Sequence, residues 1–170
     1  MTGFFADRRS GLSLVELIMT LSILSILTAV ILPSAQLISK RNKEIELKRN
    51  LRIMRNAIDD YKKINDKLIE ENKKIKGLAK DDTGSGYPKT LEVLVEGHDF
   101  GELAKEPKRF LRRIPCDPFN TDKTTACKES WGLRSYTDKS DSSQWGQEDV
   151  YDVYSKSEDT AIDGTKYKDW

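Results

Sequence analysis

Glu16 is the residue whose chemistry is most informative in this chain, because it lies inside an apolar segment. The segment runs from Leu12 to Leu32, and Glu16 is its only ionisable residue. A helix of that length measures about 30 Å, the thickness of a bilayer's hydrocarbon core. A carboxylate at that depth costs about 2.5–3.5 kcal/mol on insertion, so we expect Glu16 to have a partner. A secretory signal peptide would be shorter and would carry its small residue after the apolar run, whereas Gly11 precedes it.

Cys116 and Cys127 are the second informative pair. Ten residues separate these two cysteines, and an even pair suits a disulfide in an oxidising compartment. Two free thiols are the alternative. A zinc site is disfavoured, since the pair and the single His98 cannot supply four ligands. We therefore predict a Cys116–Cys127 disulfide.

Nothing in the sequence indicates catalysis or nucleic-acid binding. His98 is the only histidine, so any Ser-His-Asp set would have to contain it. We place His98 alone in a polar loop, and nothing marks it as catalytic. The Gly84-Ser85-Gly86 segment lacks the lysine and the spacing of a phosphate-binding loop. The net charge of +1 gives no basis for a nucleic-acid partner. We predict a protein that is not an enzyme.

Charge is distributed unevenly along the chain. Residues 40–80 carry 14 Lys and Arg against 7 Asp and Glu, whereas residues 138–170 carry 4 Lys against 9 Asp and Glu. Two solvated faces are one interpretation of this asymmetry. The other is head-to-tail contact between stacked copies, which suits an open heterologous assembly.

The elements that must position these residues begin with one long helix. After the apolar segment, apolar residues recur every three or four positions, the period of one helical face. They are Leu47, Leu51, Met54, Ile58, Tyr61, Ile64 and Leu68. We expect a helix from Leu12 to Ile75, about 95 Å long. Pro33 removes one backbone hydrogen bond from it, so we expect a bend there.

Shorter elements follow. Thr90 is the predicted N-cap of a short helix that Gly97 ends. Residues 98–112 are charged and read as a loop. The runs 132–136 and 150–155 are rich in β-branched and aromatic residues, so they predict two strands that pair antiparallel and pack on the amphipathic helix. Most aromatic side chains are predicted to be core, with Trp170 docking on the domain or on a neighbour; the core set is Trp131, Trp145, Tyr87, Tyr136, Tyr151, Tyr154 and Tyr167.

The N-terminal motif resembles a known leader. Gly11-Leu12-Ser13-Leu14-Val15-Glu16, preceded by Arg8-Arg9 and followed by Pro33, resembles the class III leader of type IV pilins and pseudopilins. The resemblance implies that a membrane peptidase cuts between Gly11 and Leu12 and that the Leu12 amine is methylated. It also implies that Glu16 pairs with the Leu12 amine of the adjacent subunit; a protonated carboxyl, or one facing a polar neighbour, is the alternative. Leu12 departs from the Phe or Met that is commoner in that family.

Later landmarks are similar to the major, G-type pseudopilin of type II secretion systems. They are Tyr87-Pro88-Lys89-Thr90-Leu91, Leu111-Arg112-Arg113-Ile114-Pro115-Cys116-Asp117-Pro118, Trp131-Gly132 and Asp152-Val153-Tyr154-Ser155. The cysteine pair and an insertion around residues 139–147 depart from that family. The family binds calcium after the last strand, which implies Asp159 and Asp163 as calcium ligands. A solvated acidic turn is the alternative, since lysines crowd this stretch.

Together these observations predict an α+β, pilin-like fold in which a long N-terminal helix packs on a small antiparallel sheet. The predicted parts are a leader (1–11), a membrane-spanning and filament-core helix (12–33), an amphipathic helix (34–76) and a globular domain (77–170). The implied function is that of a structural subunit of a type II secretion filament. The alternatives are a pilin of a type IV pilus, and a membrane-anchored periplasmic calcium-binding or recognition module that does not polymerise.

The implied partners are other copies of the chain, other pseudopilins, the inner-membrane assembly platform, the prepilin peptidase, and membrane lipid before assembly. The implied location is the bacterial inner membrane, with a single span and the C-terminal domain in the periplasm. The basic residues that closely follow Leu32 favour the opposite orientation by charge alone. The leader resemblance and the cysteine pair favour the periplasm.

Overall fold

The computed structural model of the protein describes residues 11, 13–72, 84–100, 107–120, 122 and 124–170. The chain divides into two compact units, Met1–Lys40 and Arg41–Trp170. The elements in chain order are α1 (Leu14–Asn72), α2 (Glu92–Glu96), β1 (Trp131–Arg134), β2 (Asp152–Ser155) and a 3₁₀ helix (Tyr167–Asp169).

Helix α1 begins at Leu14, two residues after the predicted start, and its helical backbone continues unbroken through Pro33 to Asn72. The predicted continuation to Ile75 lies outside the described residues, and the bend at Pro33 stays a prediction. By length and hydropathy, none of the helices in the described part of the chain qualifies as a membrane span.

The core of the second unit forms on one face of α1, as the period of the apolar residues predicts. Leu47, Met54 and Ile58 are fully buried there, and Leu51 and Tyr61 nearly so. The side chains that cover this face come from α2, both strands and the C-terminal segment, among them Leu91, Leu94, Trp131, Val150, Val153 and Tyr167. Each large apolar side chain buried in this way stabilises the fold by about 1.5–3 kcal/mol.

The sheet has two antiparallel strands, with Trp131 opposite Ser155 and Arg134 opposite Asp152. This confirms the predicted α+β fold, a long helix packed on a small antiparallel sheet. The first strand ends earlier than predicted, because the Ser135 and Tyr136 N–H groups donate to the carboxylates of Asp138 (2.7 Å) and Asp149 (2.8 Å) instead of a strand partner.

Gly132 is a close-approach position in this sheet. It lies opposite Tyr154, whose ring covers it so closely that a Cβ at residue 132 would overlap the ring. The Arg134 guanidinium lies 4.1 Å from the centre of the same ring. Any side chain at residue 132 would therefore displace the Tyr154 ring.

Two local expectations for the segment after residue 90 are wrong. Leu91, not Thr90, is the N-cap of α2 and makes no side-chain cap, whereas the Thr90 side chain hydrogen-bonds to that of Glu92. His98 is not alone in a polar loop. Its ring packs against Tyr61 and Phe100 at centroid distances of 5.4 and 4.7 Å.

Two other features of this region bear on the same predictions. Gly97 ends α2 at φ 97°, a left-handed conformation that favours glycine, as predicted. Two described residues of the 98–112 stretch are paired, since His98 and Lys108 form an isolated β-bridge. Residues 101–106 lie outside the described part.

The aromatic residues predicted to be core divide into three groups, of which Tyr87 and Trp145 are partly buried against the core. Trp131, Tyr154 and Tyr167 are buried as predicted, but Tyr136 and Tyr151 are 61% and 45% exposed, so their assignment to the core is wrong. Tyr151 lies one residue before β2, next to the buried Val150, so the alternation of the extended chain turns it outward. Both exposed rings contact Tyr87 instead.

Candidate functional site

The candidate functional site is the N-terminal segment, where the sequence places the processing and assembly residues. Gly11 is exposed, and a Cβ at this position would contact no other described part of the chain; Leu12 lies outside the described residues. Between Leu14 and Ile38 the large apolar side chains that the structure describes are exposed, from 73% at Leu14 to 49% at Leu17. The exposed set also includes Val15, Ile18, Met19, Leu21, Ile23, Leu24, Ile26, Leu27, Ile31, Leu37 and Ile38. An apolar surface of this extent needs a cover other than water.

Four hydroxyl groups of this segment are hydrogen-bonded inside the helix. Thr20 donates to the carbonyl three residues earlier, and Ser22, Ser25 and Thr28 each donate to the carbonyl four residues earlier, at 2.8–2.9 Å. Hydroxyls bonded in this way need no water. The segment is therefore chemically compatible with lipid or with a bundle of helices.

Glu16 lies exposed in the first turn of α1, close to the positive end of the helix dipole. The first helical bond runs from the Leu17 N–H to the Ser13 carbonyl at 3.0 Å. Within the described part of the chain, no hydrogen bond or ion pair reaches the Glu16 carboxylate. The pairing of this carboxylate with an amine therefore stays a prediction.

Cys116 and Cys127 are joined by a disulfide in the structure, with their α-carbons 4.4 Å apart. The loop that they close is attached to α1, because the Asn50 side chain donates to the Cys116 carbonyl at 3.0 Å. Next to it, the buried Asp117 accepts from the Ser155 hydroxyl at 2.6 Å, which joins the loop to the end of β2. The disulfide therefore staples a loop that the core already contacts.

The two proposed calcium ligands lie in the C-terminal segment. The Asp163 carboxylate accepts from the N–H (3.0 Å) and the hydroxyl (2.6 Å) of Thr165, and these bonds hold the pKa of Asp163 below its ordinary value. Asp159 is exposed, and its carbonyl accepts from the Tyr167 N–H. Among the residues that the structure describes, no group of three His, Cys, Asp or Glu side chains is placed to hold a metal.

The C-terminal segment is fastened to α1 by contacts that the sequence pattern did not reveal. Glu44 accepts from the Ile162 N–H (2.8 Å) and from the Tyr167 hydroxyl (2.9 Å). Burial, together with this carboxylate, raises the pKa of Tyr167. Trp170 docks on its own domain, with the Lys48 ammonium 4.1 Å from its ring centre. These partners are more than 100 residues apart in sequence, so no local spacing signals them.

Comparison with known proteins bears on the N-terminal segment. The family model described as the prokaryotic N-terminal methylation motif matches residues 7–32, a span that contains Gly11, Leu12 and Glu16. Searches among curated proteins and among solved structures found no significant match. The motif supports a precursor of the type IV pilin-like class, which is structural rather than enzymatic. It implies processing by a prepilin peptidase and pilin-like polymerisation.

Proposed function

We propose that the protein is a pseudopilin, a structural subunit of a type II secretion filament that helps drive protein export across the outer membrane. The observation that carries the proposal is the apolar surface of α1 with Glu16 five residues after Gly11. An exposed helix of this kind needs lipid before assembly and other copies of the chain afterwards. The functional unit is then a filament and not a monomer.

The assembly mechanism follows from the exposed side chains. Before assembly the apolar segment is held in the inner membrane, with the folded unit Arg41–Trp170 in the periplasm. In the filament, neighbouring helices replace lipid around side chains such as Leu21 and Leu24. Because lipid tails are as apolar as leucine, this exchange has no large hydrophobic driving force, and helix packing and polar pairs select the arrangement.

Glu16 supplies the selective polar pair in this proposal. After cleavage at Gly11, the amine of Leu12 is a cation within one turn of the Glu16 position. An unpaired charge of either sign is costly in an apolar bundle, so the carboxylate of one copy and the amine of the next favour one axial register. The absence of a partner for Glu16 within the described residues is consistent with a partner on another copy.

The landmarks that resemble G-type pseudopilins favour a secretion filament over a surface pilus. They contact one another in the folded unit: the Trp131 indole N–H donates to the Pro115 carbonyl at 2.7 Å, and Asp117 accepts from Ser155. A pilin of a type IV pilus is the second candidate, since the leader motif is common to both. A membrane-anchored periplasmic module that does not polymerise is the third.

Calcium binding by Asp159 and Asp163 is proposed from the family resemblance. A cation there would compete with the Thr165 donors that already bind Asp163. The test is the thermal unfolding of the full chain in detergent, with millimolar calcium and then with chelator. The proposal requires a higher midpoint with calcium and its loss in Asp159→Ala. Equal midpoints would leave a solvated acidic turn.

The experiment that tests the proposed function places a photo-crosslinking amino acid at Leu24, in cells that carry the companion secretion proteins. We expect ladders of crosslinked copies, and we expect export of the secreted substrate to require this protein. Glu16→Ala should reduce both the ladder and export. The matched control is Glu46→Ala, which removes an exposed acid farther along α1 and should change neither. Long surface fibres with unaffected export would favour the pilus. No crosslink between copies would favour the module.

A further inference from the structure

Two surfaces of the second unit expose side chains of complementary chemistry. The first, here called the arginine face, is the outward side of α1 that carries Arg41, Ile45, Arg49 and Arg52. At 3.6 residues per turn these four lie within about 80° of one another. All four are exposed, Ile45 to 59%, and among the described residues no acidic side chain pairs with the three arginines.

The second, here called the tyrosine–acid surface, comprises the exposed Tyr136 and Tyr151 rings and two acids of the neighbouring loop. These are Glu148 and Asp141, and Asp141 lines one hollow together with Thr137 and Lys139. The two rings are in contact at a centroid distance of 5.5 Å. Glu148 lies beside Thr137, at 3.5 Å from its hydroxyl, and Asp141 is exposed with no partner among the described residues. Asp141 lies inside the stretch 139–147 that departs from the G-type family, and Glu148 directly follows it.

The loop that presents these acids is held in place before any partner arrives. Asp138 accepts from the N–H groups of Ser135 (2.7 Å) and Gly146 (3.0 Å). The Arg134 side chain donates to the Ser142 carbonyl at 3.0 Å, and the Tyr154 hydroxyl donates to the Ser143 carbonyl at 3.2 Å. A loop that is already ordered loses little conformational entropy on binding.

The two surfaces match in chemistry. Guanidinium groups bind carboxylates and also stack on aromatic rings, so arginines fit a surface of tyrosines and acids. The fold already contains this combination at Arg134, which lies on the Tyr154 ring and 3.5 Å from the Asp152 carboxylate. A lysine makes a similar pair of contacts at Lys62, whose ammonium lies 2.5 Å from Asp66 and 5.4 Å from the Tyr87 ring centre. The exposed Ile45 supplies an apolar contact for the exposed rings.

One copy cannot bring its own two surfaces together. The tyrosine–acid surface adjoins α1 at the level of Lys62, through Tyr87 and Tyr136. Lys62 lies ten positions after Arg52, the nearest residue of the arginine face, which is about 15 Å along the helix. A second copy that is displaced along the helix can bring them together, and two different patches that meet in this way generate an open, heterologous assembly.

We infer that the arginine face of one copy binds the tyrosine–acid surface of a second copy, as a specific interface of the assembled filament. This inference rests on the proposed polymerisation and adds the surfaces that set the contact. In this arrangement each copy contributes one basic and one acidic surface, which would account for the uneven distribution of charge along the sequence.

The test uses full-length protein in cells, with a photo-crosslinking amino acid at Ile45. Arg49→Glu with Arg52→Glu should reduce the crosslinked dimer by about tenfold, and so should Asp141→Lys with Glu148→Lys, because each places like charges together. The matched control is Arg112→Glu with Arg113→Glu, two exposed arginines outside the arginine face, which should crosslink as the wild type does.

Co-expression of the two defective variants gives the decisive result. One variant then carries two acidic surfaces and the other carries two basic surfaces, so an acidic surface meets a basic one whichever variant stacks on the other. The mixture should therefore restore the crosslinked dimer, although neither variant forms it alone. A folding defect could not be rescued in this way. Wild-type crosslinking by either variant alone, or no recovery in the mixture, would overturn the inference.

The crosslinking amino acid at Leu24 separates this inference from the proposed function. Crosslinks at Leu24 without any at Ile45 would reject the interface and leave polymerisation standing, whereas their absence at both positions would reject polymerisation. Weaker binding of Arg49→Glu with Arg52→Glu to phosphatidylglycerol vesicles, with an unchanged dimer, would assign the arginines to lipid and overturn the inference.

Discussion

Arg55 of α1 and Asp152 of β2 form an ion pair in which the Nε and Oδ1 atoms are 2.7 Å apart. The same guanidinium donates to the carbonyl oxygens of Val153 (3.1 Å) and Trp170 (2.7 Å). One side chain thus connects the helix, the sheet and the C-terminal segment. The Asp152 carboxylate also lies 3.5 Å from Arg134 of β1, so it links β2 to β1 as well as to α1.

Replacing Arg55 with alanine should lower the free energy of unfolding by about 1–2 kcal/mol, a figure reduced for the partial exposure of the pair. The measurement is urea unfolding in detergent, followed by tryptophan fluorescence. Arg52→Ala is the control, since Arg52 is exposed and should change stability by less than about 0.5 kcal/mol. Equal effects of the two substitutions would mean that the Arg55 contacts do not stabilise the fold.

Tyr167 should make the protein sensitive to alkaline pH. Its pKa in the folded protein is raised, by burial first and then by Glu44, so the unfolded chain loses the phenolic proton at lower pH than the folded one. Stability is therefore complete below the unfolded pKa, about 10, and falls as the pH rises above it. Unfolding midpoints between pH 9 and 11 should fall less steeply in Tyr167→Phe than in wild type.

The long helix and the two strands were predictable because their signals are local. The three-to-four-residue period gave the buried face of α1, and β-branched and aromatic runs located both strands within a few residues. The Arg55–Asp152 and Glu44–Tyr167 contacts were not predictable, since each joins residues far apart in sequence. The end of β1 was missed because side-chain acceptors at Asp138 and Asp149 replace a strand partner. In the candidate site, Gly11 and Glu16 were predictable because they belong to the leader motif. The arginine face was not, because it can be defined only once the side of α1 that the core covers is known.

The Cys116–Cys127 disulfide should be present in protein isolated from the envelope. Alkylation without reduction, followed by mass spectrometry, should find neither thiol modified. Replacing both cysteines with serine should lower stability by about 2–3 kcal/mol, because the loop they close is no longer constrained in the unfolded chain. Two freely alkylated thiols in fresh protein would contradict both the disulfide and the periplasmic placement of this domain.

Glu16→Ala should leave membrane insertion intact and reduce assembly. Removal of the carboxylate lowers the cost of burial in lipid and also deletes the pair that sets the register between copies. Membrane fractionation checks insertion, and the Leu24 crosslink checks assembly, with Glu46→Ala as the control. Assembly equal to wild type in Glu16→Ala would show that the carboxylate has no such role.

The central claim is that this chain is the precursor of a pilin-like subunit, and the N-terminus of the assembled material tests it most directly. Intact mass and N-terminal sequencing of crosslinked or filamentous protein should show a chain that begins at a methylated Leu12, as the methylation motif over residues 7–32 implies. Assembled protein that retains Met1, or that has been cut after Ala29 as a secretory signal would be, would contradict the claim.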